Sequence, residues 1–300
     1  MNIYYHPLYT KGIDSKSTFP KERYDLIKTS LSVSKSSHLI TIKDPNPAST
    51  EDIYKAHSKD YVDAFLSSSL SEKQVREIGL KPWSNKIIDR TLLLTGGSLC
   101  ALSDLSKGAP VAANMAGGTH HAFKDRGSGF CIFNDLAICA IKAIEDYKYN
   151  RVLIIDLDVH QGDGTASILK DNNKVYTFSV HCKQNFPFKK EASNTDIEIE
   201  TGADDSTYLS ILRNGLTKLE SVESDIIFFQ AGVDTLASDR YGKLLLTIDG
   251  LNARNEMVFD FARKRKNPLL ILMGGGYSEP IDNTVAAFQD LFIAAAKYSF

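Results

Sequence analysis

The chain carries 300 residues, with 35 Lys and Arg against 37 Asp and Glu, a net charge of −2, 43% hydrophobic and 24% charged residues. That composition belongs to an ordinary globule and excludes disorder, collagen and coiled coil. It also excludes a protein held to nucleic acid mainly by counterion release, which needs a concentrated basic face.

From the N-terminus, an edge strand is expected at 3–5, a helix at 23–30 and a second edge strand at 39–42. A loop with Pro45 and Pro47 covers 43–50, helices are expected at 59–66 and 86–102, and the Ser-rich stretch 67–72 reads as a loop. Beyond residue 110, short runs rich in Val, Ile and Phe predict buried strands at 110–113, 151–157, 174–180, 225–230 and 268–273. Segments with helical apolar spacing lie among them at 132–147, 205–219, 247–264 and 283–297. The basic run Arg263-Lys264-Arg265-Lys266 reads as a solvated helix end favoured by the helix dipole. This β-α-β rhythm predicts an α/β fold, a mainly parallel sheet flanked by helices on both faces. With no repeat, low-complexity block or linker in view, a single domain over 1–300 is expected.

Cys100, Cys131, Cys139 and Cys182 form no C-x-x-C pair, which fits a reducing compartment. The N-terminus lacks a charged region followed by an apolar one, and no run approaches the ~18 apolar residues of a membrane span. A cytoplasmic location without a signal peptide or membrane span is the expectation.

The apolar run ending at Ile155 meets Asp156-Leu157-Asp158-Val159-His160-Gln161-Gly162-Asp163-Gly164. Strand geometry puts Asp156, Asp158 and His160 on one face. Two partly buried carboxylates and an imidazole aimed together call for a divalent cation. A solvated loop rich in Asp and Gly explains that segment equally well when it is taken alone. Three further clusters shift the balance: Gly117-Gly118-Thr119-His120-His121, Ala231-Gly232-Val233-Asp234 and Gly274-Gly275-Gly276-Tyr277 each follow an expected strand. Open α/β sheets place their sites along that carboxyl edge.

Asp158, His160 and Asp234 would then be three metal ligands with a position left for water and substrate, the pattern of catalytic zinc; the same donor set also suits iron. His121 is a candidate general base, with His120 as its electrostatic partner or a proton donor. Asp156 and Asp163 are candidates to orient those imidazoles through Nδ1–H. Tyr277 is a candidate donor to a developing oxyanion. No Gly-x-Ser-x-Gly elbow is present and no cysteine lies within the polar clusters, so acyl-enzyme chemistry is the weaker mechanism.

Together these segments resemble the zinc-dependent histone deacetylase superfamily, which shares the arginase/deacetylase fold and includes bacterial deacetylase-like amidohydrolases. The four clusters, with Gly129-Phe130-Cys131-Ile132-Phe133-Asn134-Asp135 after the first, stand in the family's order. The resemblance spans essentially the whole chain, more loosely in the N-terminal third.

It implies Zn2+ on Asp158, His160 and Asp234, with Fe2+ as the alternative ion, and assigns His120, His121, Asp156, Asp163 and Tyr277 the roles above. It also implies an acyl-lysine tunnel lined by Gly129 and Phe130, with Phe186 as the opposite wall. A structural K+ would fall on Asp156, Asp158, His160, Ser179 and Val180, and His57 and His181 are structural histidines. Gln161, the compact length and the stretch 201–205 look like class IV members, whereas Asp163 stands where asparagine is common outside class I. The acidic residue with which many relatives grip the substrate backbone has only Glu72 and Glu77 as candidates in the loop 67–86.

The implied activity is removal of acetyl or longer acyl groups from the ε-amine of lysine in peptides or proteins. Long-chain lysine defatty-acylation and deacetylation of a small acylated amine such as an acetylpolyamine are the alternatives. No acidic insertion is present to receive a polycation. A catalytically silent binding scaffold is the reading from another class, and the intact set of ligands, base and Tyr277 argues against it.

Overall fold

The computed structural model describes residues 1–298. Its elements begin with β1 (Asn2–Tyr4), α1 (Leu8–Lys11), α2 (Arg23–Val33), β2 (Thr41–Lys43), α3 (Thr50–Tyr54), α4 (Lys59–Leu66), α5 (Glu72–Ile78) and α6 (Lys86–Ser106). They continue with β3 (Val111–Asn114), α7 (Asp135–Glu145), β4 (Val152–Asp156), α8 (Asp163–Leu169), β5 (Val175–Cys182) and β6 (Thr195–Ile199). The last five are α9 (Asp205–Leu219), β7 (Ile226–Gln230), α10 (Ile248–Arg265), β8 (Leu269–Leu272) and α11 (Asp282–Lys297).

The strands form one parallel eight-stranded sheet in the order β2-β1-β3-β8-β7-β4-β5-β6. β3, β4, β7 and β8 are buried along their whole length, which is why they read as continuous apolar runs: helices cover both faces. One helical layer joins α6, α7 and α8, and α7 packs on β4. The other joins α9, α10, α11 and α2; its Phe259 meets Phe229 of β7 edge to face, with centroids 6.4 Å apart.

The α/β class and the parallel sheet are those expected, and the differences lie in short elements. α1, α3, α5 and α8 have 4, 5, 7 and 7 residues, too few for a periodic apolar stripe. α5 nevertheless carries a capping box, Ser71 with Gln74, so the 67–86 segment held a local helix signal. β6 alternates polar and apolar residues at the sheet edge and lacks the buried-strand signature. The basic run at 263–266 is not wholly solvated, because Arg265 turns back to donate to the Val222 carbonyl and the Ser224 hydroxyl.

What matters for function is strand order. β3, β8, β7 and β4 are consecutive neighbours although their residues run from 111 to 272 in sequence. Their carboxyl ends therefore bring His120, Tyr277, Asp234 and Asp158 to one edge of the sheet.

Candidate active site

Asp158, His160 and Asp234 are buried, and their ligand atoms lie within 4.8 Å of one another. His160 Nδ1 is 3.0 Å from Asp158 Oδ1 and 3.0 Å from Asp234 Oδ2. Backbone donors hold the other carboxylate oxygens: Gly275 N–H reaches Asp158 Oδ2 at 2.7 Å and Val159 N–H reaches Asp234 Oδ1 at 2.8 Å. Gly275 has to be glycine for this approach, since a Cβ there would stand 2.0 Å from Asp234 Oδ2. The result is two oxygens and one ring nitrogen aimed at a common point.

That crowding has an electrostatic signature. Burial opposes the charge on His160, yet Asp158 and Asp234 outweigh it and lift the imidazole to about 10. Burial and the Asp158 charge together push Asp234 up to about 7. Against burial, His120 and His160 hold Asp158 well below its ordinary value, and two carboxylate oxygens with a ring nitrogen match the donor set of a divalent-metal site.

Beside the triad stand two His–Asp pairs. His120 Nδ1 meets Asp156 Oδ2 at 2.8 Å, and His121 Nδ1 meets Asp163 Oδ1 at 2.6 Å. The two Nε2 atoms face each other at 3.1 Å. Burial pulls His120 down, but Asp156 and Asp158 lift it to about 9. His121 has no such excess, and burial with the neighbouring His120 charge lowers it to about 4 despite Asp163. The surroundings thus favour the charged form of His120 and the neutral form of His121.

Asn134 and Asp135, which close the Gly129-to-Asp135 motif, clamp the loop carrying these histidines. The Asn134 amide donates to the carbonyls of His120 and Ala122 at 3.3 and 3.0 Å while its Oδ1 caps α7 through Ala137 N–H at 2.9 Å. Asp135 accepts from the backbone N–H of Gly118 at 3.1 Å and of Thr119 at 2.8 Å. Gly118 takes φ +71°, open to glycine at no cost, so the loop can turn under Asp135. His57 is structural as expected, accepting the Asn134 N–H at 2.8 Å. His181 is also buried, with Nδ1 2.9 Å from Ser179 Oγ.

Tyr277 rides on the turn after β8, and its N–H donates to Asp239 Oδ2 at 2.7 Å. Arg23 stiffens the same turn by donating to the Gly276 and Gly274 carbonyls at 2.9 and 3.2 Å, with its guanidinium 5.3 Å from the Tyr277 ring centre. Burial, with Asp158 and Asp234 nearby, holds the phenol well above its ordinary value against the pull of Arg23. Its hydroxyl is a donor at neutral pH and has no hydrogen-bond partner among the described residues.

Asp158, His160, Asp234, His120, His121 and Tyr277 line one cavity of about 320 Å³. Gly129, Phe130 and Phe186 are among its walls, with Phe186 edge-on to His121 at 4.9 Å between centroids. Phe188, 90% exposed, stands at the mouth with Tyr241, Gln184 and Lys243. Inward, the cavity reaches Phe19, Tyr24, Arg90 and Leu94, all buried. Glu72 and Glu77 are not among the lining residues and pair instead with Arg76 and Lys73 on their own helix. Among the described residues the lining carboxylates are Asp158 and Asp234, on the floor. Gln161 points away, to the Glu191 carbonyl and Asp196.

Motif reading missed Arg23, Arg90, Asp239 and Lys243, and also Asn185, which lines the cavity with its Nδ2 3.4 Å from His160 Nε2. Each is a single residue in a segment without a pattern, and only the fold carries it to the site.

The carboxyl edge of the parallel sheet thus gathers three side chains that could hold a metal ion beside two His–Asp pairs. The model of the histone deacetylase domain matches residues 17–291, and the chain belongs to the histone deacetylase family. It is 40% identical over 294 residues to an uncharacterised protein of Picosynechococcus sp., covering 98% of this chain and 97% of that one. It is 31% identical to histone deacetylase 2 of Arabidopsis thaliana and 32% identical to histone deacetylase 1 of Homo sapiens, over 82% and 78% of this chain. The matched regions span 65% and 52% of those two relatives. No helix among the described residues is long and apolar enough to cross a membrane.

Proposed function

We propose that this chain is a divalent-metal-dependent amidohydrolase that removes acyl groups from the ε-amine of lysine in peptides or proteins. The observation that carries the reading is the convergence of the Asp158–His160–Asp234 triad, Tyr277 and the two histidines backed by Asp156 and Asp163 on one cavity. Zn2+ is the preferred ion and Fe2+ the alternative. A divalent ion held by the triad would polarise the amide carbonyl and lower the pKa of water.

The remaining steps belong to the chain's own residues. His121, neutral and fixed as the Nδ1–H tautomer by Asp163, takes the proton of the attacking water at Nε2. His120, charged against Asp156, supplies positive potential beside that proton and can return one to the leaving amine. Tyr277 donates its phenolic hydrogen to the acyl oxygen as negative charge develops there. Phe130 and Phe186 enclose the lysine methylenes, and Gly129 leaves room between them, since a Cβ there would stand 2.7 Å from His121 Cδ2 and 3.2 Å from Phe186 Cε1.

The K+ reading on Asp156, Asp158, His160, Ser179 and Val180 is supported by the register that sets Asp156 beside Ser179. Class IV affinity, one domain over the whole chain and a cytoplasmic location remain part of the proposal.

A second reading, hydrolysis of longer acyl chains, is favoured by the inward extension of the cavity to Phe19 and Leu94. An acetylpolyamine substrate is disfavoured because the charged residue at the mouth is Lys243, and a polycation needs carboxylates there. A panel of acyl-lysine peptides from acetyl to myristoyl, run beside an acetylpolyamine, tests all three. The expected result is turnover of acyl-lysine peptides with kcat/KM at least about 10-fold above the acetylpolyamine, a difference of about 1.4 kcal/mol in transition-state binding. Metal-loaded protein that hydrolyses no acyl-lysine peptide, or that prefers the polyamine, contradicts the reading.

A further inference from the structure

Behind the carboxylate pair lies a buried cation that the chemistry above does not use. Arg254, on α10, is 0% exposed. Its Nη1 donates to the carbonyls of Leu157 at 3.1 Å and Gly232 at 2.7 Å, and its Nη2 to that of Ala231 at 3.3 Å. Nε and Nη2 both reach Asn255 Oδ1, at 3.2 and 2.9 Å. All of these partners are neutral oxygens.

Their positions give the arrangement meaning. Leu157 immediately precedes the ligand Asp158, and Ala231 and Gly232 lie just before the ligand Asp234. The β4–β7 ladder ends at Asp156 and Gln230, with one last bond from Leu157 N–H to the Gln230 carbonyl at 3.1 Å. Past that point the guanidinium fork takes up carbonyls from both chains and ties them together where the ladder no longer does.

A buried guanidinium without an ion-pair partner is costly and persists where dipoles and nearby charge compensate it. Asp158 and Asp234 supply that charge from the far side of their own backbone. Anchoring of α10 does not require the cation, because Val258, Phe259 and Ala262 bury the same helix against the core.

We propose that Arg254 is a positioning residue for the metal ligands, fixing the spacing of Asp158 and Asp234 around His160 through their backbones. The proposal rests on the reading of those three residues as a metal site. Lysine keeps the charge but not the planar two-pronged geometry, and methionine fills the space without either.

The test uses the full chain as wild type, Arg254→Lys and Arg254→Met, loaded with Co2+ and with Zn2+. Metal affinity is read by chelator competition, the ligand field by the visible Co2+ spectrum, and stability by thermal unfolding with and without metal. Both variants are expected to hold metal at least about 10-fold more weakly, the usual scale for a residue supporting a ligand. Their Co2+ bands should be altered, and metal should raise their Tm less than it raises that of wild type. Variants with wild-type affinity and spectrum, whose Tm falls equally with and without metal, would show a structural role only and overturn the proposal. If neither substitution at 254 folds, Asn255→Leu, which frees the fork while keeping its charge, must show the same weakening, and wild-type affinity there overturns it too. A wild-type chain that binds neither ion sinks the metal reading itself, an outcome distinct from the failure of Arg254 alone.

Discussion

His121→Ala is expected to lower kcat on an acyl-lysine peptide by about 1,000-fold, within the range usual for removing a positioned general base. The argument is geometric before it is electrostatic. His121 Nδ1 is committed to Asp163 at 2.6 Å, which leaves Nε2, 3.1 Å from His120 Nε2, as the basic atom of a residue that lines the cavity. Of the two adjacent imidazoles, His121 is the one brought down to about 4, by burial and by the His120 charge, so it carries the lone pair. His120, lifted to about 9 by its carboxylates, does not. His120→Ala should therefore cost less than His121→Ala in the same assay. An unchanged Tm and unchanged metal content in the His121 variant would locate the loss in chemistry, and a His121→Ala enzyme within a few-fold of wild type would remove the residue from its role.

Tyr277→Phe should reduce kcat by about 100-fold to 1,000-fold while KM moves little, because the hydroxyl engages charge that develops only on the way to the transition state. The ring itself is held by the Arg23 and Asp239 clamps on its backbone turn and by Tyr241 at 5.1 Å between centroids. Loss of one oxygen atom should leave those contacts in place, which makes the variant a clean probe. Steady-state kinetics across substrate concentration separate the two parameters. A rise in KM with kcat preserved would mean that the hydroxyl binds the ground state instead.

Much of the fold was legible because its central strands are buried on both faces and so announce themselves as uninterrupted Val, Ile and Phe. Legibility failed where that burial ends. β6 lies at the edge with alternating polar residues, and α1, α3, α5 and α8 are too short to show a helical period. The reading of Asp158, His160 and Asp234 as a set followed from strand-end placement. Their mutual distances depend on strand order, which sequence neighbours do not encode.

Supporting residues were the least visible. Asn134 and Asp135 stood in a quoted motif, yet their hold on the histidine loop appears only when β3 and α7 are brought together. Arg23, at the start of α2, and Arg254, mid-helix in α10, carry no local pattern at all, because what they bind is backbone carbonyl supplied by distant turns. The small net charge has also gained a local reading. The expected acidic grip does not fall on Glu72 or Glu77, and the cavity mouth presents Lys243.

The central claim is that Asp158, His160 and Asp234 hold the ion on which acyl-lysine hydrolysis depends. Its most direct test is turnover of an acetyl-lysine peptide, or of the best acyl homologue in the panel, by metal-stripped full chain titrated with Zn2+ beside an Asp158→Ala control. The account predicts no turnover in stripped protein, recovery that saturates at one bound Zn2+ per chain, and no recovery in the Asp158 variant. Wild-type turnover in protein verified to be free of metal, or full recovery in Asp158→Ala, would contradict it.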